Sequence, residues 1–238
     1  MKAYHFLKED YGLEALEKQR LKVSTLNDLN DPFEFYSMNL SNHTQRRKFK
    51  ELKETFSNNL GILCFCRRYN NSLLWSHYAN RHNGVALEFH VNDSQVYEVK
   101  YKKTRTLVDY TDLMNKPKKD KFVTLIKLLT TKHAGWKYEE EYRVLVEKDD
   151  IYETNNIPYI NIDTRFTSIL QNGKSILDTY MTITGIILGP LCKITYKDIE
   201  NRLPNGIRIG VTKTRLAFQS FNVVKDKQYK IRYIDGKA

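Results

Sequence analysis

Glu139-Glu140-Glu141-Tyr142-Arg143-Val144-Leu145-Val146 is the stretch on which the fold class turns. Side chains on a strand alternate between two faces, so Glu139, Glu141 and Arg143 share one face and Tyr142, Val144 and Val146 share the other. With the second face in a core, the first carries two carboxylates about 7 Å apart, a spacing set by the strand rise, beside one guanidinium. Such a pair can keep one member ionised and orient a hydroxyl or a ribose, and an arginine suits phosphate. Alternation alone also allows a blander expectation: an exposed strand whose charges neutralise one another.

Outward from this stretch, helices and strands interleave. Upstream, Phe122, Leu125, Ile126 and Leu129 mark one apolar helical face, broken by Gly135. Tyr4 to Leu7 reads as an opening strand, and Asp10 as the N-cap of a helix carrying Leu13 and Leu16 at helical spacing. Leu21 to Thr25 is a second strand. Asn27 to Glu34, with Pro32 discouraging helix before it, is an ordered loop. His43 to Asn59 is a highly charged peripheral helix and Gly61 to Cys66 an apolar strand. Asn71 or Ser72 caps a helix from Leu73 to about His82, which Asn83-Gly84 ends in the left-handed conformation before a strand from Val85 to Phe89. Downstream come a helical region around Ile169 to Tyr180, a strand from Ile183 to Leu188, a helix near Tyr196 to Leu203, and strands near Ile207 and Tyr229. With no internal repeat and no linker, the expectation is one α+β domain over residues 1–238.

Composition narrows the class. Hydrophobic residues make up 41% of the 238 and charged ones 28%, which is globular rather than disordered or fibrous. No run approaches the roughly 18 apolar residues of a membrane span, and Met-Lys-Ala-Tyr-His at the start lacks a signal-peptide core, so a cytoplasmic protein with no membrane partner is expected. Three cysteines give no disulfide framework. Cys64 and Cys66, flanking Phe65, are expected to point to opposite faces, at least one into the core. The formal charge of +11 favours polyanions, whether nucleotide, acidic surface, or DNA or RNA through the basic surface, without choosing among them; bases scattered along the chain also read as a solvated face.

Two further segments carry chemistry-bearing side chains. Trp75-Ser76-His77-Tyr78 packs aromatic, hydroxyl and imidazole groups into one helical turn, the equipment for stacking and orienting a bound base; against that, Trp75 reads more readily as a core anchor and His77 as a satisfied core or surface histidine. Asn30-Asp31-Pro32-Phe33-Glu34 reads as a rigid turn, with Asp31 capping locally and Phe33 plugging the core. His5, between Tyr4 and Phe6, faces away from the side those aromatics occupy.

Taken in order, Tyr4-His5-Phe6, Leu21 to Glu34, Trp75 to Ala79 with His82-Asn83-Gly84, Trp136-x-x-Glu139-x-Glu141-Tyr142-Arg143 and Ile187-Leu188-Gly189-Pro190 closely resemble the bacterial domain-of-unknown-function 2971 family. The order of parts is also similar, more remotely, to the ADP-ribosyltransferase superfamily. That second resemblance implies a split, mixed or antiparallel sheet flanked by helices, and NAD as a substrate with no metal required. It implies His5 as the ribose holder, Tyr78 or Trp75 as the nicotinamide stacker, Glu141 as the catalytic carboxylate and Glu139 as the acid orienting the acceptor. Ser24, Asn30, Asp31, Ser76, His77 and Arg143 complete the implied nucleotide site. Phe6-Leu7 stands where the superfamily's polymerase-like branch has Gly-Thr or Gly-Ser. The reading implied is an NAD-using transferase or glycohydrolase in bacterial antiphage defence, with toxin-like chemistry on nucleic acid. A non-enzymatic nucleotide or nucleic-acid sensor is the alternative. A metal-dependent phosphodiesterase built from His5, Asp31, Glu34, His77 and Glu141 is a third reading, with no ligand motif behind it.

Overall fold

Alternating strands need partners on their edges, and the computed structural model, which describes residues 1–38, 40–162, 166–169, 175–179 and 181–236, joins eleven of them in one sheet. The chain opens with β1 (Lys2–Leu7), α1 (Glu9–Lys18), β2 (Arg20–Lys22), α2 (His43–Asn59), β3 (Leu60–Cys66), α3 (Ser72–Tyr78) and β4 (Val85–Val91). It continues with β5 (Tyr97–Glu98), β6 (Lys100–Lys102), α4 (Tyr110–Asn115), α5 (Lys118–Leu129), β7 (Thr131–His133) and β8 (Glu141–Glu147). The last part holds β9 (Tyr152–Thr154), β10 (Ile157–Asn161), β11 (Phe166–Ile169), β12 (Ser175–Thr179), β13 (Met181–Leu188), α6 (Tyr196–Glu200), β14 (Arg208–Leu216), β15 (Val223–Lys225) and β16 (Arg232–Asp235).

The main sheet runs β12-β11-β8-β3-β1-β4-β13-β14-β15, with β16 also on β14 and β5 also on β8. Its pairs are antiparallel except β13 with β14, so the sheet is mixed and the class α+β. One face is a continuous apolar layer in which Phe65, Leu87, Phe89, Val144, Val146 and Ile186 pack with α1 and α6. Each such side chain contributes about 1.5–3 kcal/mol by leaving water. The other face is divided. Phe35, Phe49, Ile62, Leu125 and Leu145 form one cluster under β3 and β8, and Phe6, Leu74, Trp75 and Ile187 form another under β1, β4 and β13.

The boundary between those clusters lies where the sheet opens. β3 pairs with β8 along its whole length, Leu60↔Glu147 to Cys66↔Glu141, yet meets β1 at only one position, Tyr4↔Cys66. Beyond that point β1 stays on β4, and Ser24 takes the vacated edge of β3 through a two-bond bridge with Ile62. A cleft forms in the gap.

Several sequence expectations are corrected. The helix expected around Ile169 to Tyr180 is instead the paired strands β11 and β12; residues 170–174 and 180 lie outside the described residues. α1 begins one residue before Asp10, so Asp10 sits in the first turn instead of capping it. α3 ends at Tyr78, short of His82, because Asn80, Arg81 and His82 are all left-handed. Gly84 is needed for close approach and not for a positive φ: a Cβ there would lie 2.2 Å from the Leu7 carbonyl oxygen. Cys64 and Cys66, being two apart on β3, share the divided face while Phe65 occupies the apolar one.

Candidate functional site

The cleft, a cavity of about 210 Å³, is lined on one side by Tyr4, His5 and Phe6 of β1 and on the other by Ser24, Asp28, Leu29 and Asn30. Cys64, Cys66, Tyr78, Lys132, Glu139 and Glu141 complete its wall and floor. Each arrives by a local rule. Asn71 accepts a hydrogen bond from the Leu73 N–H and so fixes the start of α3, whose Leu74 and Trp75 are buried and whose Tyr78 then reaches the cleft. A 3-10 helix, Ala134–Glu139, leads into β8, and Glu140 between them is left-handed at φ 43°. That single residue turns its own carboxylate outward toward Arg68, 3.4 Å away, while Glu139 and Glu141 both go inward.

What they enter is a buried ionic cluster. Lys132 Nζ lies 2.7 Å from Glu139, 3.3 Å from Glu141 and 3.5 Å from Glu34. Arg143, with no exposed surface, donates from Nε to Glu141 at 2.7 Å, from both terminal nitrogens to Glu34 at 3.0 and 2.7 Å, and to the Leu129 carbonyl at 2.6 Å. The exposed-strand expectation for β8 is thereby overturned: its charged face is as buried as its apolar one. Three carboxylates meet two cations, leaving one negative charge in excess.

The excess settles on Glu139. Burial raises its pKa above the usual carboxylate range, and Lys132 only partly opposes this. Burial acts the same way on Glu141, but Arg143 and Lys132 outweigh it and hold Glu141 at about 2. Two carboxylates sharing one lysine are thus driven apart in protonation, the usual basis for dividing acid and base roles. Tyr78 donates its hydroxyl to Glu139 at 2.5 Å and accepts from the Asn30 side chain at 2.7 Å, so the NDPFE loop and α3 jointly aim Glu139. Burial, followed by the adjacent Glu139 charge, pushes the Tyr78 phenol well up and keeps it a donor.

The other residues picked out in the sequence fall into three groups. His5 and Ser24 line the cleft with Asn30. His5 donates from Nδ1 to the Cys64 carbonyl at 2.8 Å, replacing a ladder bond lost where β1 leaves β3, and burial lowers its basicity so the ring is neutral. Trp75, Asp31 and Arg143 are structural. Trp75 is fully buried against Phe6 and donates its indole N–H to the Tyr69 carbonyl, so it is no stacking platform. Asp31 accepts from the Phe33 N–H in a local turn, and Arg143 spends its donors inside the cluster and has none for phosphate. Ser76 and His77 are exposed on α3 and stand outside the cleft. Phe33, expected to plug the core, is 54% exposed. Among the described residues no group of three or more His, Cys, Asp or Glu side chains is placed to hold a metal ion, and no helix is long and apolar enough to cross a membrane.

Lys132 and Asp28 escape a reading of the sequence. Lys132 occupies a three-residue strand, β7, after α5, and nothing in Thr131-Lys132-His133 marks the lysine as buried. Its one signal is arithmetic, since a buried Glu139 and Glu141 with a single arginine need a second cation.

Residues 74–144 match the model of the family described as protein of unknown function (DUF2971), the family that the sequence resembles; the matched stretch carries Tyr78, Lys132, Glu139, Glu141 and Arg143. No curated protein and no solved structure matches the chain.

Proposed function

We propose that the cleft cleaves the N-glycosidic bond of NAD, transferring ADP-ribose to an acceptor or to water. The observation that carries this reading is the cluster of three carboxylates against two cations on the cleft floor. A buried negative excess is costly unless a positive charge meets it. NAD brings one at the reacting centre: its nicotinamide is a cationic pyridinium, and that charge passes to the ribosyl C1′ as the bond breaks. In the step, the C1′–N bond breaks with its electron pair going to nicotinamide, which leaves neutral. The acceptor's oxygen or nitrogen then bonds C1′ and gives up a proton.

Glu141, held ionised, supplies fixed negative charge against the oxocarbenium-like centre. Glu139, with its raised pKa, takes the acceptor's proton, and Tyr78 and Asn30 hold it in place. Ser24 and the ring of His5 line the cleft and offer partners to ribose hydroxyls.

The test is chromatography of NAD incubated with the protein, read for free nicotinamide, beside calorimetry with NAD and ADP-ribose. Release is expected to fall at least 100-fold in Glu141→Gln and in Glu139→Gln. Full turnover by Glu141→Gln would sink the assignment, and absence of both binding and release would turn the reading to a nucleotide-sensing module.

A further inference from the structure

Behind Lys132 lies a second cavity, larger than the cleft at about 540 Å³, and different in chemistry. Phe33, Tyr36 and Trp136 line it, and Phe33 and Trp136 are the two rings flanked by its cations. Phe33 is turned outward by the Asp31 turn, in which the Phe33 N–H bonds the Asp31 side chain and the Glu34 N–H the Asp31 carbonyl, and it stays 54% exposed. Trp136, on the 3-10 helix, is half-buried, with Lys132 Nζ 4.8 Å from its ring centre. Around the rings stand Lys102, Lys103, Arg105 and His133, all exposed. The parallel pairing of β6 with β7 sets Lys102 opposite His133, and the Arg105 guanidinium lies 5.2 Å from the Phe33 ring. Among the described residues Asp31 is the one carboxylate lining the groove, and it is buried and hydrogen-bonded into its own turn.

We infer that this groove binds single-stranded nucleic acid, with one base stacked between Phe33 and Trp136 and the flanking phosphates on Lys102, Lys103 and Arg105. Aromatic faces accept bases of any sequence, and cations beside them track the backbone. A duplex keeps its bases stacked on each other and offers no free face to the rings. The exposed Phe33 ring gains by leaving water, and a stacked base covers it. The whole-chain charge of +11 adds a long-range pull toward a polyanion. The inference does not rest on the cleft's chemistry, because Lys132 separates the two cavities and the groove residues named do not line the cleft.

The chain's tryptophans make a direct test. There are two, Trp75 and Trp136, and Trp75 has no exposed surface, so a ligand that touches tryptophan touches Trp136. A short labelled oligothymidylate is titrated by anisotropy while tryptophan emission is followed. Binding is expected to quench the emission and to shield it from acrylamide, and to weaken with salt at a log–log slope of about −2 to −3, for three or four phosphates neutralised. Quenching is expected to vanish in Trp136→Phe, and affinity to drop at least ten-fold in the double variant Lys103→Glu/Arg105→Glu, whose sites are exposed and whose fold is checked by circular dichroism. Shielding in the wild-type protein reads the contact without any variant. Glu139→Gln is expected to bind the oligonucleotide as the wild type does, so loss of nicotinamide release and loss of strand binding are read separately. Equal binding of a hairpin duplex, equal quenching by AMP at the same nucleotide concentration, or no binding at low salt would each overturn the inference.

Discussion

Lys132 stands between two cavities that handle charge in opposite ways. In the cleft the charges are buried, interlocked and one negative in excess; in the groove they are exposed, loosely held and positive. The same residue types do different work according to burial. Arg143 and Arg105 carry the same guanidinium, yet one holds carboxylates that would otherwise be uncompensated in the interior, and the other rests over a solvent-exposed ring. It follows that removing a cation should damage the fold on one side of Lys132 and leave it nearly untouched on the other.

Arg143→Leu tests that contrast most severely. It leaves Glu34 and Glu141 buried with only Lys132 between them, and a loss of about 3–5 kcal/mol in urea unfolding is expected. A loss below about 1 kcal/mol would mean the cluster admits water and is not the dry floor described.

Glu139→Gln probes the excess charge. Because Glu139's pKa is raised in the fold, it lends stability while protonated, and that contribution disappears as pH rises from the ordinary carboxylate value through the folded one. Glu141 behaves in the opposite sense: held at about 2, it contributes stability above the ordinary value that is lost as pH falls toward 2. The Glu139→Gln variant is therefore expected to be more stable than wild type at pH 7 by about 0.5–2 kcal/mol, the usual cost of a functional site, with the gap closing below pH ~4. A destabilised variant at pH 7 would show that Lys132 needs Glu139 as its ion partner.

The mildest consequences belong to the groove. Lys103→Ala and Arg105→Ala are expected to shift thermal unfolding by no more than about 0.5 kcal/mol. A larger loss would move these residues from ligand recognition to scaffold.

The fold was legible where periodicity is strong and misread where it is short. His43 to Asn59 matches α2 at both ends, and the division of β8 into a Glu141/Arg143 face and a Tyr142/Val144/Val146 face holds in the structure. The strands β11 and β12 were hidden by length, since runs of four or five residues with apolar members suit either period. Asn172-Gly173 between them is nonetheless a strong hairpin signal in the sequence. Within the site, alternation indicates that Glu139 and Glu141 go the same way but is silent on burial, which depends on α5 and the NDPFE loop covering them. For Trp75 the core-anchor reading holds, and the rings that line the basic groove, Phe33 and the half-buried Trp136, carry no such signal in the sequence.

The turn after α3 ties the cleft to a distant part of the chain. Asn80, Arg81 and His82 are held left-handed partly from afar, with the Gly189 N–H bonded to the Gly84 carbonyl and the Leu191 N–H to that of His82. A Cβ on Gly189 would lie 2.4 Å from the His82 carbonyl oxygen, so no other residue fits that seam. The ionic residues of the cleft end at Arg143 in the sequence, whereas the clamp beside Tyr78 draws on Gly189 and Leu191, beyond β13. A truncated chain that stops short of Gly189 would carry every ionic residue of the cleft without the backbone clamp beside Tyr78.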